Sequence, residues 1–291
     1  MKARNILTPS LLLIALAIPA YIYRADLFIL ASKLEARFFP CQQPIPYSMG
    51  TFDTKFGISQ ELFLKDVAIA EKLWEDAAGK QLFASTPDGW LKVNLIYDER
   101  QAATLKLQKI GIVISNDRAT YNAVKAKYDA LKATIESEKA TYDATVLQYK
   151  KDLATARSRD QQGSLNAEVQ HINALGATMN ANIDNLNAMG VILNELAQTL
   201  NLQVDKYNNV PRTGESFAEG EYISDASVSE INIYEFSTSE QLIRVLAHEL
   251  GHALGLDHVS DPKAIMYYLN SGTNEKLTAD DLTALKTRCG L

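Results

Sequence analysis

Three of the four histidines in this chain of 291 residues lie within one eleven-residue stretch, HELGHALGLDH. The first two, His248 and His252, are four residues apart, so on a helix they project from one face and can bind one metal ion. Gly255 allows a sharp turn in the left-handed conformation, which brings back His258 as a third ligand. Three protein ligands leave one coordination position open, which is typical of a catalytic rather than a structural zinc.

Glu249 follows the first of these histidines directly. It lies at the rim of the ligand face, where its carboxylate can take a proton from a zinc-bound water without binding the metal itself. The resulting hydroxide can attack a carbonyl group, and the glutamate can pass the proton to the leaving amine. The spacing therefore predicts a hydrolytic site with one zinc ion. The alternatives are surface histidines on a helix, or a zinc that only stabilises the fold.

The segment that begins the globular part of the chain predicts a strand, a helix and a second strand. Residues 45–53 and 90–97 have the composition and alternation of strands. Ser59 is suited to cap the intervening helix at its start, and Gly79 to end it.

Two shorter strands are expected just before the histidine motif, at residues 221–224 and 229–236. Thr238 or Ser239 can cap the helix that carries the motif. Strands and helices on both sides of the motif predict an α+β domain.

The middle of the chain has a different pattern. Residues 116–159 contain no glycine or proline, and apolar or small residues recur at alternating spacings of three and four. A second such series spans 172–207, and the sequence DQQGS at 160–164 separates the two. The simplest structure is an antiparallel coiled-coil hairpin about 60 Å long. It could be a spacer, or an arm for partner binding or self-association.

The N-terminus resembles an export signal. Lys2 and Arg4 precede an apolar run from Ile6 to Tyr23, a layout that suits a signal peptide or a transmembrane anchor. Ala20 could precede a cleavage site, but Ile18 is a poor partner for it, and we therefore prefer an uncleaved anchor. Both alternatives place the rest of the chain outside the cytoplasm.

The overall charge disfavours one class of partner. The formal net charge is −6 and the isoelectric point about 5.3. Proteins dedicated to nucleic acids normally present a basic face, so no nucleic-acid partner is expected.

With these residues the chain resembles the metzincin metallopeptidases, and among them the matrixins. The likeness continues through HVSDPKAIMY at 258–267, where Met266 matches the methionine of the Met-turn, and through LTADDL at 277–282, which looks like the start of the C-terminal helix. It is strong over 229–290 and weaker over 45–97. The resemblance implies a zincin fold, an apolar floor of Met266 under the ligands, and endopeptidase activity on proteins or peptides.

The implied organisation has four parts. A signal peptide or anchor with a short linker occupies 1–40, and the first part of the metzincin domain occupies 41–99. The inserted hairpin occupies 100–207, and 208–291 completes the domain with the zinc site. Matrixins usually carry a second, structural zinc, but no histidines remain for it here, so one zinc is expected. The rival interpretation is a non-catalytic zinc-binding scaffold whose hairpin binds a partner.

The resemblance also suggests further site residues. Metzincins pair extended substrate with an edge strand, and the candidate residues here are Gly220, Glu221, Tyr222 and Ile223. Tyr268 stands where matrixins commonly have a proline. In the astacin and serralysin relatives a tyrosine at this place helps to steady the transition state, so Tyr268 is a second catalytic candidate. The alternative is that Tyr268 only packs.

The two cysteines, Cys41 and Cys289, allow two interpretations. In an oxidising compartment they could form a disulfide, and in the cytosol they would stay reduced. Many matrixins carry a propeptide cysteine that caps the zinc, but the surrounding FFPCQQP matches that pattern poorly. In a matrixin-like fold the chain start and the C-terminal helix lie near each other. We therefore prefer the disulfide over the zinc latch.

Overall fold

The structure is a computed structural model. It describes residues 22–115, 117–157, 159–206, 219–225, 228–268 and 276–291. The apolar run expected to be a signal or anchor, 6–23, lies outside the described residues except for its last two positions. Among the helices that are described, none combines the length and the apolar character needed to span a bilayer.

Five strands form one sheet in the order β2-β1-β3-β5-β4. They are β1 (Ile45–Phe52), β2 (Phe83–Ser85), β3 (Leu91–Leu95), β4 (Gly220–Ser224) and β5 (Ser229–Ile233). The first, second, third and fifth strands run parallel, whereas β4 runs antiparallel to β5 at the end of the order. The antiparallel strand is therefore an edge of the sheet.

Seven α-helices are described, together with a short 3-10 helix at Thr54–Phe56. The α-helices are α1 (Arg24–Phe38), α2 (Gln60–Ala78), α3 (Glu99–Lys109), α4 (Arg118–Thr155), α5 (Arg159–Lys206), α6 (Ser239–Ala253) and α7 (Ala279–Cys289). As the sequence predicts, the side chain of Ser59 caps α2 and Gly79 ends it with φ +66°. Thr278 caps α7 through a capping box with Asp281.

The main core lies where α2 and α6 pack against each other and against the sheet. Apolar side chains at helical spacing on both helices are fully buried, because each presents one apolar face to this interface. Its fully buried members include Phe63 and Trp74 of α2, Leu91 of β3, Ile231 of β5 and Leu242 of α6.

Strands β3 and β5 are neighbours although a long stretch of chain separates them. The side chain of Asn94 donates to that of Asn232 across 2.7 Å, and both are buried. Asn94 also accepts from the Thr51 amide at 2.7 Å. A Cβ on Gly50 would lie 2.0 Å from the Asn94 oxygen, so only glycine fits there. These contacts hold three strands together at the centre of the sheet.

The stretch between these strands contains a long helical hairpin. Helices α4 and α5 pack in antiparallel register: Tyr142 approaches Gly176, and Asn182 donates to Glu138 at 2.8 Å. A second, smaller core joins the hairpin to α3 and includes Leu107, Val124, Ile192 and Leu196. The antiparallel arrangement agrees with the expectation from the sequence.

The turn of the hairpin lies earlier than the sequence predicts. Helix α4 ends at Thr155 and α5 begins at Arg159, so the expected break at 160–164 lies inside a helix. The Gln161 side chain accepts from the Arg157 amide at 2.7 Å and satisfies a backbone donor beside the turn. A single glycine, Gly163, lowers helix stability by only about 1 kcal/mol and does not end the helix.

Helix α3 and the neighbouring part of α5 attach to the chain that follows β5. The amide side chain of Gln101 accepts from the Phe236 amide and donates to its carbonyl, at 2.9 and 3.2 Å. Thr104 donates to the carboxylate of Glu235. Glu195 of α5 hydrogen-bonds the same carboxylate, and burial raises the pKa of both glutamates. The two carboxyl groups therefore favour a form in which they share a proton.

Three local features differ from the expectations. Strand β2 and helix α3 have no counterpart among the predicted elements. Residues 110–115, which belong to the segment expected to form the hairpin, are neither helix nor strand, because α3 ends at Lys109 and Gly111 turns the chain with φ +77°. Strand β5 ends at Ile233 rather than 236, since the next two amides both donate to the carbonyl of Glu219.

Candidate active site

Helix α6 places the first two histidines and the glutamate of the motif. Thr238 caps its start by accepting from the Gln241 amide at 3.2 Å. Its apolar positions Leu242, Val245, Leu246 and Leu250 are buried. Because the helix is enclosed on nearly all sides along its second half, His248 and Glu249 are each only 1% exposed.

The three histidines of the motif converge on one point. The Nε2 atoms of His248 and His252 are 3.0 Å apart, and each lies 3.2 Å from Nε2 of His258. In the part of the chain that the structure describes, this is the one group of three or more potential ligands close enough to share a metal ion. The structure thus brings together the three residues that the sequence predicts.

Hydrogen bonds set the tautomers of the first two rings. Nδ1 of His248 lies 2.7 Å from the Ile265 carbonyl, and Nδ1 of His252 lies 2.9 Å from the Leu256 carbonyl. A carbonyl can only accept, so Nδ1 carries the proton in both rings and each Nε2 presents a lone pair. Burial, followed by the neighbouring histidines, lowers the pKa of His248 and keeps its ring neutral. Lone pairs that converge in this way repel one another unless a cation lies between them, so the donor set fits a zinc ion.

The turn to the third ligand depends on a glycine. Gly255 has φ +83°, and its amide donates to the His252 carbonyl at 2.8 Å. A Cβ there would lie 2.6 Å from the guanidinium of Arg288. The same guanidinium donates to the Leu254 carbonyl at 3.0 Å, so α7 supports the turn from outside.

Met266 is fully buried and lies against Gly251, which stands between the first two histidines of the motif on α6. Its amide and the neighbouring Ile265 amide both donate to the Asp281 carboxylate at 2.9 Å. Arg244 donates to the Ala264 carbonyl at 2.5 Å. A Cβ on Gly251 would lie 2.3 Å from the Met266 sulfur. The segment 264–266, which carries the expected floor residue Met266, is therefore held by polar contacts to Arg244 and Asp281 and by a close approach to α6.

The sequence reasoning missed the part that three side chains play here. The sequence places Asp281 at the start of the C-terminal helix and does not predict its bonds to the amides of Ile265 and Met266. Arg244 and Arg288 carry no motif signal. An arginine within an apolar helix face, as at 244, is the one pattern that could have marked a buried polar contact.

Glu249 lies between α6 and the edge strand β4. A Cβ on Gly220 would come within 3.1 Å of its Oε1, which places the carboxylate directly against the strand. Oε1 has no hydrogen-bond partner among the described residues. Burial, and then the negative charge of Glu221, raise the pKa of Glu249, while a bond from the Tyr222 amide opposes them. This carboxyl group is thus placed where taking up a proton is favourable.

The four candidate substrate-strand residues all belong to β4. Gly220, Glu221, Tyr222 and Ile223 pair in register with β5 on one side. The strand ends the sheet, so its other side has no strand partner in the described sheet. An extended peptide could add there by main-chain hydrogen bonds.

Tyr268 lies beside the third histidine. The centroids of its ring and the His258 ring are 6.4 Å apart, and the Tyr267 ring is 4.5 Å away. The chain just beyond it, 269–275, lies outside the described residues.

A disulfide joins Cys41 and Cys289, with their Cα atoms 5.3 Å apart. Both residues are buried in the main core. A cysteine in a disulfide cannot bind a metal, so in this pairing Cys41 does not cap the zinc site. The disulfide links the linker after α1 to the last residue of α7, next to Arg288.

Part of the chain is similar in sequence to known proteins. The family model described as Matrixin matches residues 213–288, about a quarter of the sequence. Macrophage metalloelastase of Oryctolagus cuniculus is 49% identical over 53 residues, which is 17% of this chain and 11% of that protein. The protein of the same name from Rattus norvegicus is 45% identical over 53 residues, with the same shares. No solved structure matches.

The chain spans only about a tenth of the length of these relatives. The matched region contains all three histidines, Glu249 and Met266. Over residues 213–288, the chain is therefore similar to the matrixins.

Proposed function

We propose that this chain is a zinc endopeptidase that cleaves proteins outside the cytoplasm. The observation that carries the proposal is the placement of Glu249: its unpartnered Oε1 is buried one residue after the first histidine ligand, against an open strand edge. A structural zinc site needs neither a buried carboxylate beside it nor a fourth position left free.

The chain's own residues supply binding, orientation and proton transfer. His248, His252 and His258 would hold one zinc ion, which when bound acts as a Lewis acid and lowers the pKa of a water ligand. Glu249 would take the proton from that water and later deliver it to the leaving amine.

We propose that β4 orients the substrate. A peptide paired with Gly220–Ser224 would lie extended beside Glu249, since Gly220 contacts this side chain directly. Tyr268 is proposed as a second catalytic group, donating its phenol proton to the negative charge that develops on the carbonyl oxygen. Its ring already lies next to His258.

The proposed organisation is one peptidase domain formed by 41–99 and 208–291 and interrupted by the hairpin segment 100–207. Two observations support the extracytoplasmic location. The disulfide between Cys41 and Cys289 is typical of an oxidising compartment. The apolar N-terminal run is of a kind that directs export, and we propose that it remains as a membrane anchor.

The test compares three full-length proteins for casein cleavage and zinc content. They are the wild type, Glu249→Gln and Glu240→Gln, the last being an exposed glutamate in the first turn of the same helix. We expect about one zinc per chain in all three. Cleavage should fall by at least about 100-fold in Glu249→Gln, because the general base is lost, and stay unchanged in Glu240→Gln.

Two results would contradict the proposal. Cleavage by Glu249→Gln at the wild-type rate would remove the proposed base. Zinc binding by all three proteins without cleavage of any protein substrate would favour the scaffold interpretation, in which the hairpin binds a partner.

A further inference from the structure

Helix α1 contacts the body of the protein through one side, which we call its inner face. The indole of Trp90 donates to the hydroxyl of Ser32 at 3.0 Å. The ammonium of Lys33 lies 5.8 Å from the centre of the same ring. Ala36, one turn further on, packs against the main core. At 100° per residue these three positions lie on one side of the helix.

The opposite side of α1 is apolar and faces outward. Helical geometry places Leu27, Leu30, Leu34 and Phe38 together on that side, with Tyr23 just before the helix. Their exposed fractions are 50%, 45%, 45%, 67% and 57%, in the order Leu27, Leu30, Leu34, Phe38 and Tyr23. We call these five residues the outer face of α1.

An apolar side that faces outward is unusual for a surface helix in water. A helix on a soluble protein turns its apolar stripe toward the core and its polar side toward solvent. An exposed patch of several large apolar side chains marks a surface that binds something apolar. The outer face therefore requires a cover. On the inner face, the contacts of the Ser32 hydroxyl and the Lys33 ammonium with Trp90 fix the orientation of the helix.

The apolar run that precedes the helix indicates that a lipid bilayer covers the outer face. The described residues begin at Ile22 and α1 begins at Arg24, so 23 residues of the sequence precede the helix. Those from Ile6 to Tyr23 form the apolar run that follows Lys2 and Arg4. A membrane that holds this run would lie immediately beside the outer face. Helix α1 has 15 residues, about 22 Å, which is too short to cross a bilayer of about 30 Å but sufficient to lie along its surface.

We propose that α1 lies in the interface of a lipid bilayer, with its outer face among the acyl chains and Trp90 holding its inner face to the protein. The proposal rests on the membrane anchoring proposed above and is independent of peptidase activity. Because Cys41 is bonded to Cys289 only three residues after the helix, the bilayer contact would set the orientation of the whole catalytic part relative to the membrane.

The experiment measures the depth of a nitroxide on the full-length chain in phosphatidylcholine vesicles. Both native cysteines are in the disulfide, so a substitution such as Leu34→Cys provides a single free thiol for labelling. The matched control is Leu147→Cys, an exposed leucine of the hairpin helix α4. Flotation with the vesicles is checked first, and a far-ultraviolet spectrum like that of the wild type confirms the fold of each labelled protein.

We expect the label at position 34 to collide more often with oxygen than with a water-soluble nickel chelate, at a depth of about 5–10 Å. The label at 147 should show the reverse. If the chain floats but both labels are equally accessible to the nickel chelate, the outer face is in water and this inference is overturned while anchoring stands. A dipolar broadening at 34 that dilution with unlabelled chain removes would show a second copy instead. A chain that does not float would overturn both anchoring and this inference.

Discussion

The indole nitrogen of Trp74 donates a hydrogen bond to the main-chain carbonyl of Ala247 across 2.8 Å. Trp74 lies on α2 and is fully buried, and Ala247 immediately precedes the first histidine of the site. The helix that carries the proposed ligands is thereby fixed to its neighbour in the core at the point where the site begins.

Replacing Trp74 tests how strongly this hydrogen bond and its packing hold α6 to α2. We expect Trp74→Phe to lower the free energy of unfolding by about 2–3 kcal/mol, from the lost hydrogen bond and the cavity that remains. The control is Trp90→Phe, which loses a half-buried bond to Ser32 and should cost less than about 1 kcal/mol in detergent solution. Urea denaturation measures both unfolding free energies. Equal losses in the two variants would show that the Trp74 bond stabilises the protein no more than the Trp90 bond does.

Gly251 allows Met266 to approach α6 closely. In Gly251→Ala the added Cβ would lie 2.3 Å from the methionine sulfur and 3.1 Å from the Trp74 ring, so the floor of the site must shift. We expect a loss of about 1–3 kcal/mol in unfolding free energy, together with weaker zinc retention against a chelator.

Gly163 provides the matched control, because it also lies within a helix but its Cβ would meet nothing within 4 Å. Gly163→Ala should raise stability by about 0.5–1 kcal/mol and leave zinc retention unchanged. If both substitutions stabilise the protein, the close approach of Met266 has no energetic consequence.

The stability of the protein should fall as pH rises between about 4.5 and 7. Burial, and then the charge of Glu75, raise the pKa of Glu71 from 4.5 to about 7. Below the lower value both folded and unfolded chains hold the proton, and between the two values only the folded chain does. The contribution of Glu71 is therefore full at low pH and is lost as pH rises through 7.

Glu71→Gln isolates this effect. We compare the unfolding free energies of variant and wild type at pH 4 and at pH 8. Allowing for the partial exposure of the side chain, we expect this difference to shift by about 1–2 kcal/mol in favour of the variant when the pH is raised from 4 to 8. Glu61→Gln, at an exposed position in the first turn of the same helix, is the control. Thermal unfolding at the two pH values measures the difference, and parallel pH profiles for wild type and Glu71→Gln would refute it.

The disulfide should contribute strongly to stability. It joins residues 248 positions apart, so by chain entropy its removal should cost about 5 kcal/mol. We expect the double variant Cys41→Ser, Cys289→Ser to unfold at a much lower urea concentration than the wild type. Reduced wild-type protein should behave like the variant, and an unchanged midpoint in both would show that the core holds these chain ends without the bond.

The sequence predicts the elements that local signals define. Ser59 and Thr238 each cap a helix where expected, because an N-cap needs only its own side chain and the next turn. The histidine cluster was predictable for the same reason. Two ligands lie on one helical turn and the third follows a glycine whose left-handed conformation the structure shows.

The elements that the sequence does not predict depend on distant partners. Strand β2 has only three residues, and its main-chain bonds come from β1, which lies some 40 residues earlier. The turn of the hairpin depends on the pairing of α4 with α5 rather than on Gly163. The support that Asp281 gives to Met266 arises only when α7 packs behind the site, and no local pattern encodes it.

The pairing of Asn94 with Asn232 has a consequence for the order in which the chain folds. The two strands that this pair joins are 138 positions apart in sequence, and closing so long a loop of disordered chain is entropically unfavourable and slow. The hairpin between them is built from antiparallel neighbours joined by a short turn, so it can form early and bring its two ends together. We therefore expect the inserted arm to fold first and to shorten the effective distance across which the two parts of the sheet must meet.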